Sequence, residues 1–472
     1  MTETAPANFD VVVIGGGPAG YGAALAASSA GKSVALIEAA DLGGTCLHRG
    51  CIPAKHFLEA ASVVRSIGDA ARFGIKVTDV SIEFETTQLA KCSLVDGIAT
   101  GLAKLLRTRK VAIIEGHGRL LGPGFVEVTS TNGTRQLSSA SVILAPGSTP
   151  RSLAALPVDD VHIVNSDGFL NLKEIPARVA IVGGGAIGCE FASLLADLGA
   201  TVTIFEGLPR LLAGCDVDVS RLITRSFTKR GITVRVDSMV AGHERGTNGE
   251  TILKLGDGST VHVDLVVVSV GRAPLTTELF GPTTELEMDD QGAIIVDDQQ
   301  RTSLPGVYAV GDVVAGRPQL AHVGFAEALV AVGSLAGTPL PPVNYDAIPW
   351  AIYCHPEIAY LGLTEAQAQD RGISVTVKKD PIGGNSRAQI MGESEGFAKV
   401  ICTTNEDGRA GRVLGVHLVG PWATEQLSGP SLAVNLGLNV NDLDTFLAPH
   451  PSLSETYGET LLALTGRGLH VH

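Results

Sequence analysis

A β-α-β unit with a glycine-rich turn occurs twice in this chain, and that duplication constrains the fold more than any other feature. In the first copy an apolar, β-branched run, Val11-Val-Val-Ile14, enters the turn Gly15-Gly-Gly-Pro-Ala-Gly20. Ala-rich helical sequence follows from Tyr21 to Ala30, Gly31 stops it, and Ser33-Val-Ala-Leu-Ile37 forms a second strand ending in Glu38. The second copy runs from Val179-Ala-Ile-Val through Gly183-Gly-Gly-Ala-Ile-Gly188, a helix to Gly199, and Thr201-Val-Thr-Ile-Phe205 to Glu206. Gly15 matches Gly183, Gly20 matches Gly188, Gly31 matches Gly199 and Glu38 matches Glu206, all at one offset of 168 residues. In such a unit the first glycine (Gly15, Gly183) allows a tight turn. The second (Gly17, Gly185) lets a pyrophosphate approach the backbone, and the third (Gly20, Gly188) packs helix on strand. Pro18 and Ile187 sit in the same turns, where each helix N-terminus faces phosphate charge, and the terminal acid meets ribose hydroxyls. Two complete units imply two bound dinucleotides, and two dinucleotides in one enzyme imply electron transfer between them.

Composition narrows the classes further. The 472 residues suggest about three domains. Hydrophobic residues at 45% and charged residues at 18% allow large cores and exclude a disordered chain. With 35 Lys+Arg against 49 Asp+Glu the net charge is −14, so non-specific nucleic-acid binding is not expected. The 7 cysteines are too sparse and too odd in number for a disulfide scaffold, so a reducing, cytoplasmic setting is expected. No basic-then-apolar leader is visible in Met1 to Asp10. The uncharged stretch Val11 to Gly31 holds too many glycines for a spanning helix and reads as strand, turn and helix.

Gly43-Gly-Thr-Cys-Leu-His-Arg-Gly-Cys-Ile-Pro-Ala-Lys55 follows directly, with four residues between Cys46 and Cys51. At a helix N-terminus a thiol gains thiolate character, and Arg49 and Lys55 add positive charge. A redox-active disulfide is the expectation. Two alternatives stand beside it: a pair of inert buried cysteines, and a metal held by Cys46, His48, Cys51 and His56. The spacing fits no common zinc pattern and two cations sit among those ligands, so no metal is expected.

With these residues in place the chain resembles the flavin-dependent pyridine nucleotide-disulfide oxidoreductases over nearly its whole length, and within them the lipoamide branch. The Gly-Gly-Thr-Cys…Gly-Cys-Ile-Pro-x-Lys stretch carries the resemblance, and Leu453 and Ile52 match that branch. Thr302-Ser-Leu-Pro-Gly-Val-Tyr-Ala-Val-Gly-Asp312 is similar to the family's second FAD motif. Ala321-His322 resembles the segment against the flavin, and His450-Pro-Ser-Leu-Ser-Glu455 resembles the acid-base His with its Glu. The resemblance implies FAD contacts from Gly44, Thr45, Lys55, Gly147, Asp312, Ala321 and His322, besides Gly15, Gly17, Pro18, Gly20 and Glu38. It implies NAD contacts from Gly183, Gly185, Ile187, Gly188, Glu206 and Gly271. Lys55 and Glu190 resemble the ion pair beside the flavin, where a cation stabilises the reduced ring. The resemblance also assigns substrate exchange to Cys46 and the flavin side to Cys51.

The implied fold class is α/β: two Rossmann-like dinucleotide-binding domains, for FAD and NAD, the second inserted in the first, plus a C-terminal α+β interface domain. The segments are 1–150 (FAD), 151–275 (NAD), 276–345 (FAD, returning) and 346–472 (interface), with Pro341-Pro-Val as a linker. The implied partners are a second copy, with active sites shared across the dimer, and the lipoyl carrier domain of a 2-oxoacid dehydrogenase or glycine cleavage complex. No membrane partner is expected.

Three departures from the family pattern stand out. Ala145-Pro146-Gly147 replaces Ala-Thr-Gly, Leu275 stands where Asn is frequent, and His48-Arg49 replaces Asn-Val between the cysteines. The alternative functions are an NADPH-dependent reductase of glutathione or mycothiol disulfide, and a non-catalytic assembly subunit. Glu206, followed by Gly-Leu-Pro before Arg210, opposes the first, because a 2′-phosphate calls for cations there. Intact Cys46, Cys51 and His450 oppose the second. A mercuric reductase lacks support because the last cysteine is Cys402.

Overall fold

In the computed structural model, which describes residues 7–470, each glycine-rich unit sits at the centre of its own sheet, between parallel neighbours. In the first sheet the strand Ala7–Ile14 pairs in parallel with Val34–Glu38 on one side and with Gly133–Leu144 on the other. Ala112–Glu115 extends the sheet beyond Val34–Glu38, and Val307–Ala309 joins Gly133–Leu144. An antiparallel hairpin, His117–Gly122 with Phe125–Ser130, completes it. Val11, Val12 and Val13 are buried on both faces, which is why the run is continuously apolar rather than alternating. The helix Pro18–Ser29 covers one face and packs on the helix Ala321–Leu335. Close approach there needs glycine: a Cβ on Gly324 would stand 2.8 Å from Ala19 Cβ. The stretch Val11–Gly31 is thus strand and helix, and among the described residues no helix is long and apolar enough to cross a membrane.

The second sheet has the order Thr233–Arg235, Thr201–Phe205, Arg178–Val182, Leu265–Val268, Ile163–Asn165, all parallel. A three-stranded antiparallel ribbon, Val240–Arg245, Thr251–Leu255 and Thr260–Val263, adjoins it. The chain enters and leaves this region side by side, Ser148–Pro150 pairing with Arg272–Pro274. The remaining sheet is antiparallel and holds Trp350–Ile352, Ile358–Gly362, Ala410–Val419, Phe397–Thr404 and Val375–Pro381, in that order. The helices Ser428–Asn435 and Glu455–Leu464 pack on it around Tyr457 and Leu461. These are the two Rossmann-like units and the α+β unit that the sequence implies.

Two ion clusters tie the layers together. Asp197, on the helix Ala186–Asp197, accepts from both Arg65 and Arg230, each at 2.7 Å. Lys399, 1% exposed, reaches Asp216 at 2.8 Å, Asp218 at 2.9 Å and Glu365. It spans from the antiparallel sheet to the start of the helix Val217–Lys229.

Candidate active site

The two glycine turns carry the same geometry. Gly15 and Gly183 have φ of +102° and +108°, and a Cβ at either would strike the carbonyl of Ala145 or Ser269. A Cβ on Gly20 or Gly188 would strike the carbonyl of that first glycine. The middle glycines differ: nothing lies within 4 Å of a Cβ placed on Gly185, and one on Gly17 meets only Gly44 Cα at 3.9 Å. Space is therefore kept where a pyrophosphate would approach, ahead of the helices that Gly17 and Gly185 cap. Pro18 opens the first helix, where its missing N–H costs nothing. Ile187 lies in the first turn of the second.

Both terminal acids are held in the same way. Glu38 accepts from Gly16 N at 2.6 Å and Ala40 N at 2.8 Å. Glu206 accepts from Gly184 N at 2.6 Å and Leu208 N at 2.8 Å. Each carboxylate oxygen has two lone-pair sites, so acceptor capacity is left for ribose hydroxyls after these bonds. The turns thus fit two dinucleotides.

The cysteines lie where the first unit continues. Gly44 packs against Gly17 with φ of +57°, and Thr45 and Cys46 follow in the short helix Gly44–Arg49. Cys51 is the first residue of the 18-residue helix Cys51–Gly68, capped by Gly50. Both cysteines are free thiols, Cys46 half-buried and Cys51 exposed, and a hydrogen bond joins them. That bond and the Lys55 charge bring Cys51 down to about 7, although the residue is open to solvent on one side and its sulfur is partly desolvated by the groups around it, which works the other way. The same bond, with burial, pushes the Cys46 thiol far up. The pair is thus polarised, with the thiolate at Cys51 and the proton at Cys46.

Lys55 stands one helical turn after Cys51. It reaches both oxygens of Glu190 at 2.9 Å and sits 4.8 Å from the centre of the Tyr353 ring. Burial opposes its charge, but Glu190 outweighs that and holds the ammonium above its usual range. Glu190, 5% exposed, also accepts from Tyr353 N at 2.9 Å. The alternative metal ligands are engaged elsewhere: His48 contacts Leu42 O at 2.9 Å, and His56 lies edge-on to Phe57. No group of three metal-binding side chains converges among the described residues.

Asp312 follows the buried strand Val307–Ala309, at the carboxyl edge of the first sheet. Its carboxylate accepts from Ser148 Oγ at 2.5 Å, and Arg272 donates to that hydroxyl at 2.7 Å. Gly147 and Gly271 flank this crossing with φ of +81° and +101°. Pro146 takes the place of a residue with an N–H, and Ser148 supplies the neighbouring hydroxyl. Ala321 begins the helix Ala321–Leu335, and His322 Nε2 contacts Pro349 O at 2.8 Å while burial lowers its pKa.

His450 Nδ1 lies 2.8 Å from Glu455 Oε1, and the imidazole side chain is 73% exposed. Ser452 N donates to the other oxygen of Glu455 at 2.7 Å. Burial works to raise the Glu455 pKa, but the Ser452 amide and His450 hold it below the usual range. No hydrogen bond or ion pair joins His450 to either cysteine among the described residues.

One residue escaped sequence reasoning. Glu327, fully buried on the helix Ala321–Leu335, accepts from Gly311 N at 2.6 Å and from Tyr345 OH at 2.8 Å. It therefore fixes the turn that presents Asp312. Burial pushes its carboxyl up to about 7. The signal was a single acid within a helix otherwise apolar from Val323 to Gly333.

With two dinucleotide turns and a polarised dithiol beside one of them, the site is that of a flavin- and nucleotide-dependent disulfide oxidoreductase. The chain belongs to the pyridine nucleotide-disulphide oxidoreductase family: that family's profile matches residues 9–328, and its dimerisation domain matches 348–461. Among curated relatives, a dihydrolipoyl dehydrogenase of Bacillus subtilis is 36% identical, covering 98% of this chain and 99% of the relative. One of Chlamydia muridarum is 38% identical, covering 98% of each. Among solved structures, LpdA from Mycobacterium tuberculosis superposes with a TM-score of 0.89 at 26% identity, covering 97% of this chain and 99% of that one. The flavoprotein disulfide reductase RclA from Escherichia coli, solved as a Cu(II) complex, gives 0.86 at 25% identity, with the same two coverages.

Proposed function

We propose that this chain oxidises the dihydrolipoamide of a lipoyl carrier domain to lipoamide and reduces NAD+ to NADH, as a dihydrolipoyl dehydrogenase with FAD. The observation that carries the reading is the Cys46–Cys51 pair at the start of a helix, next to the Lys55–Glu190 pair. FAD is held by Gly15, Gly17, Pro18, Gly20, Glu38, Gly44, Thr45, Lys55, Gly147, Asp312, Ala321 and His322. NAD is held by Gly183, Gly185, Ile187, Gly188, Glu206 and Gly271. When bound, FAD supplies the relay of the electron pair from the cysteines to NAD.

The protein's own groups do the thiol chemistry. Glu455 holds His450 Nδ1, which leaves Nε2 as the base that takes a proton from one substrate thiol. The resulting thiolate attacks Sγ of Cys46 in the cysteine disulfide, a mixed disulfide forms, and the electron pair of the broken S–S bond leaves on Cys51. A thiol near pKa 7 is a good leaving group, and that supports giving the leaving role to Cys51. The second substrate thiol passes its proton to the departing Cys46 sulfur as it displaces it, closing lipoamide and leaving Cys46 as the thiol, Cys51 as the thiolate and the first proton on His450. Lys55, oriented by Glu190, stabilises negative charge next to Cys51.

The segments 1–150, 151–275, 276–345 and 346–472 serve as FAD, NAD, returning FAD and interface domains. Side-by-side pairing of Ser148–Pro150 and Arg272–Pro274 supports the middle boundaries. The working form is a homodimer in the cytoplasm, and His450 serves the partner's cysteines. The exposed His450 and the apolar Phe73, Ile75, Val77 and Val80, all solvent-exposed in one chain, support this. The lipoyl domain belongs to a 2-oxoacid dehydrogenase or glycine cleavage complex. A steady-state assay of the purified flavoprotein tests the reading: lipoamide with NADH should turn over, and glutathione disulfide with NADPH should not. The reverse preference would overturn it.

A further inference from the structure

A wide-mouthed cavity of about 790 Å³ lies beside the helix Val217–Lys229, away from the cysteines. Four cations line it, Arg210, Arg221, Arg225 and Lys229, and no carboxylate does. This is a local excess of positive charge on a chain whose net charge is −14. Arg221, Arg225 and Lys229 recur every fourth residue, so they form one row along the helix, about 12 Å from first to last. Arg221 and Lys229 have no carboxylate partner among the described residues, and Arg225 meets Glu395 only at 3.4 Å. The acids of the same helix start, Asp216 and Asp218, are engaged by Lys399 and Lys379. Arg210 donates one guanidinium nitrogen to Ala213 O at 2.7 Å, and its other terminal nitrogen is buried without a partner. Pro209, Val217 and Val236 add apolar lining. The cavity is of the size that holds a small ligand.

We propose that this cavity binds a linear oligophosphate, its phosphates paired along the row Arg221, Arg225 and Lys229, at a site distinct from the two dinucleotide turns. A row of cations suits a chain of anionic groups better than one compact anion. The cavity's volume and apolar lining leave room for the base and sugar of a nucleoside triphosphate, and inorganic polyphosphate presents the same chain without them. The site borders the loop that follows Glu206, but it does not include the glycine turn Gly183–Gly188.

The test is calorimetric titration of the FAD-loaded protein at saturating NAD+, so that the second turn is already filled. ATP and inorganic tripolyphosphate are the two probes, compared with the double variant Arg221→Glu, Lys229→Glu. Both residues lie outside the redox site, and unchanged lipoamide turnover by the variant reports an intact fold. The expected result is saturable binding by the unmodified protein that weakens at least tenfold in the variant. ATP bound tenfold more tightly than tripolyphosphate assigns a nucleotide as the source, and equal affinities assign inorganic polyphosphate. Arg225→Gln, which leaves the helix surface uncharged there, should weaken the same binding severalfold. No saturable binding of either probe, or binding unchanged in the double variant, would overturn the proposal. So would binding of a polyglutamate peptide with neither phosphate probe bound.

Discussion

Cys51 sits where three influences on a thiol coincide: the first turn of a helix, a hydrogen bond from Cys46, and the ammonium of Lys55. The first and third are legible in the sequence, since Gly50, Pro53 and Lys55 all lie within four residues of it. The second requires folding, because the Cys46 side chain must turn back along a separate short helix. In the reduced flavoprotein, a long-wavelength thiolate-to-flavin absorption band should therefore grow as pH rises through about 7. It should be absent in Cys51→Ser and survive in Cys46→Ser. A band retained in Cys51→Ser would move the flavin-side role to the other thiol.

Glu206 and Glu327 show what a single acid can do in two settings. Glu206 lies at a strand end with both oxygens fixed by backbone amides, so its charge is directed rather than mobile. A 2′-phosphate brought to it would be repelled, at a cost of about 1–3 kcal/mol after solvent screening. NADH should accordingly be preferred over NADPH in kcat/KM by roughly ten- to a hundredfold, and Glu206→Ala should narrow that ratio. Equal values for the two cofactors in the unmodified enzyme would contradict this. Glu327 is instead fully buried with its pKa raised to about 7. A carboxyl whose folded pKa exceeds its unfolded value adds stability below about 4.5, and loses it as pH rises through about 7. Gln at 327 keeps a carbonyl oxygen to accept from the Gly311 amide and carries no group that titrates. Glu327→Gln should thus flatten the fall in melting temperature over that pH window, by an amount equivalent to about 3 kcal/mol. Parallel melting curves for the two proteins from pH 4.5 to 8 would refute the assignment.

At the scale of elements, legibility followed sequence distance. Gly15, Gly17 and Gly20 meet constraints set within one turn and its flanking strands, so spacing alone exposed them. His450 and Glu455 are five residues apart and meet across one turn. Lys55 and Glu190 lie 135 residues apart on different helices, and periodicity could not have paired them. The same holds for Lys399 with Asp216, 183 residues away, whose pairing depends on the docking of two separate sheets. The Lys55–Glu190 pair joins the helices Cys51–Gly68 and Ala186–Asp197, and with them the cysteine layer and the second dinucleotide unit. Glu190→Gln keeps the shape but leaves a partly buried ammonium without its counter-charge. Because the Lys55 side chain is 35% exposed, water offsets part of the loss, and about 1–2 kcal/mol of stability should go. The charge-transfer band should shift as well, because the cation beside Cys51 is no longer held in place. An unchanged band together with an unchanged melting temperature would make the pair incidental.

At the scale of the whole molecule, the groups of the proposed site stand on separate units of one chain. The cysteines lie on the first dinucleotide unit, and the His450–Glu455 pair lies on the antiparallel unit, exposed and joined to neither thiol by any described hydrogen bond or ion pair. A base must come within hydrogen-bond reach of the proton it takes. In a two-fold dimer each chain can offer its His450 to its partner's cysteines, so one association completes two sites. Loss of such a base costs about 10²–10⁴ in rate. His450→Ala should therefore lose most lipoamide turnover while keeping fold, flavin and artificial-acceptor reduction, which needs no substrate thiol. Glu455→Gln should show a smaller loss, because it orients the imidazole without meeting substrate. Mixing His450→Ala with Cys46→Ser subunits tests the arrangement directly. Each parent is nearly inactive, but the mixed dimer joins the intact Cys46 of one chain to the intact His450 of the other. With random re-pairing of equal amounts, about half the dimers are mixed and each has one working site of two, so roughly a quarter of the unmodified activity should return. If mass spectrometry shows the subunits exchanged and no activity returns, His450 serves the cysteines of its own chain and the shared-site arrangement fails.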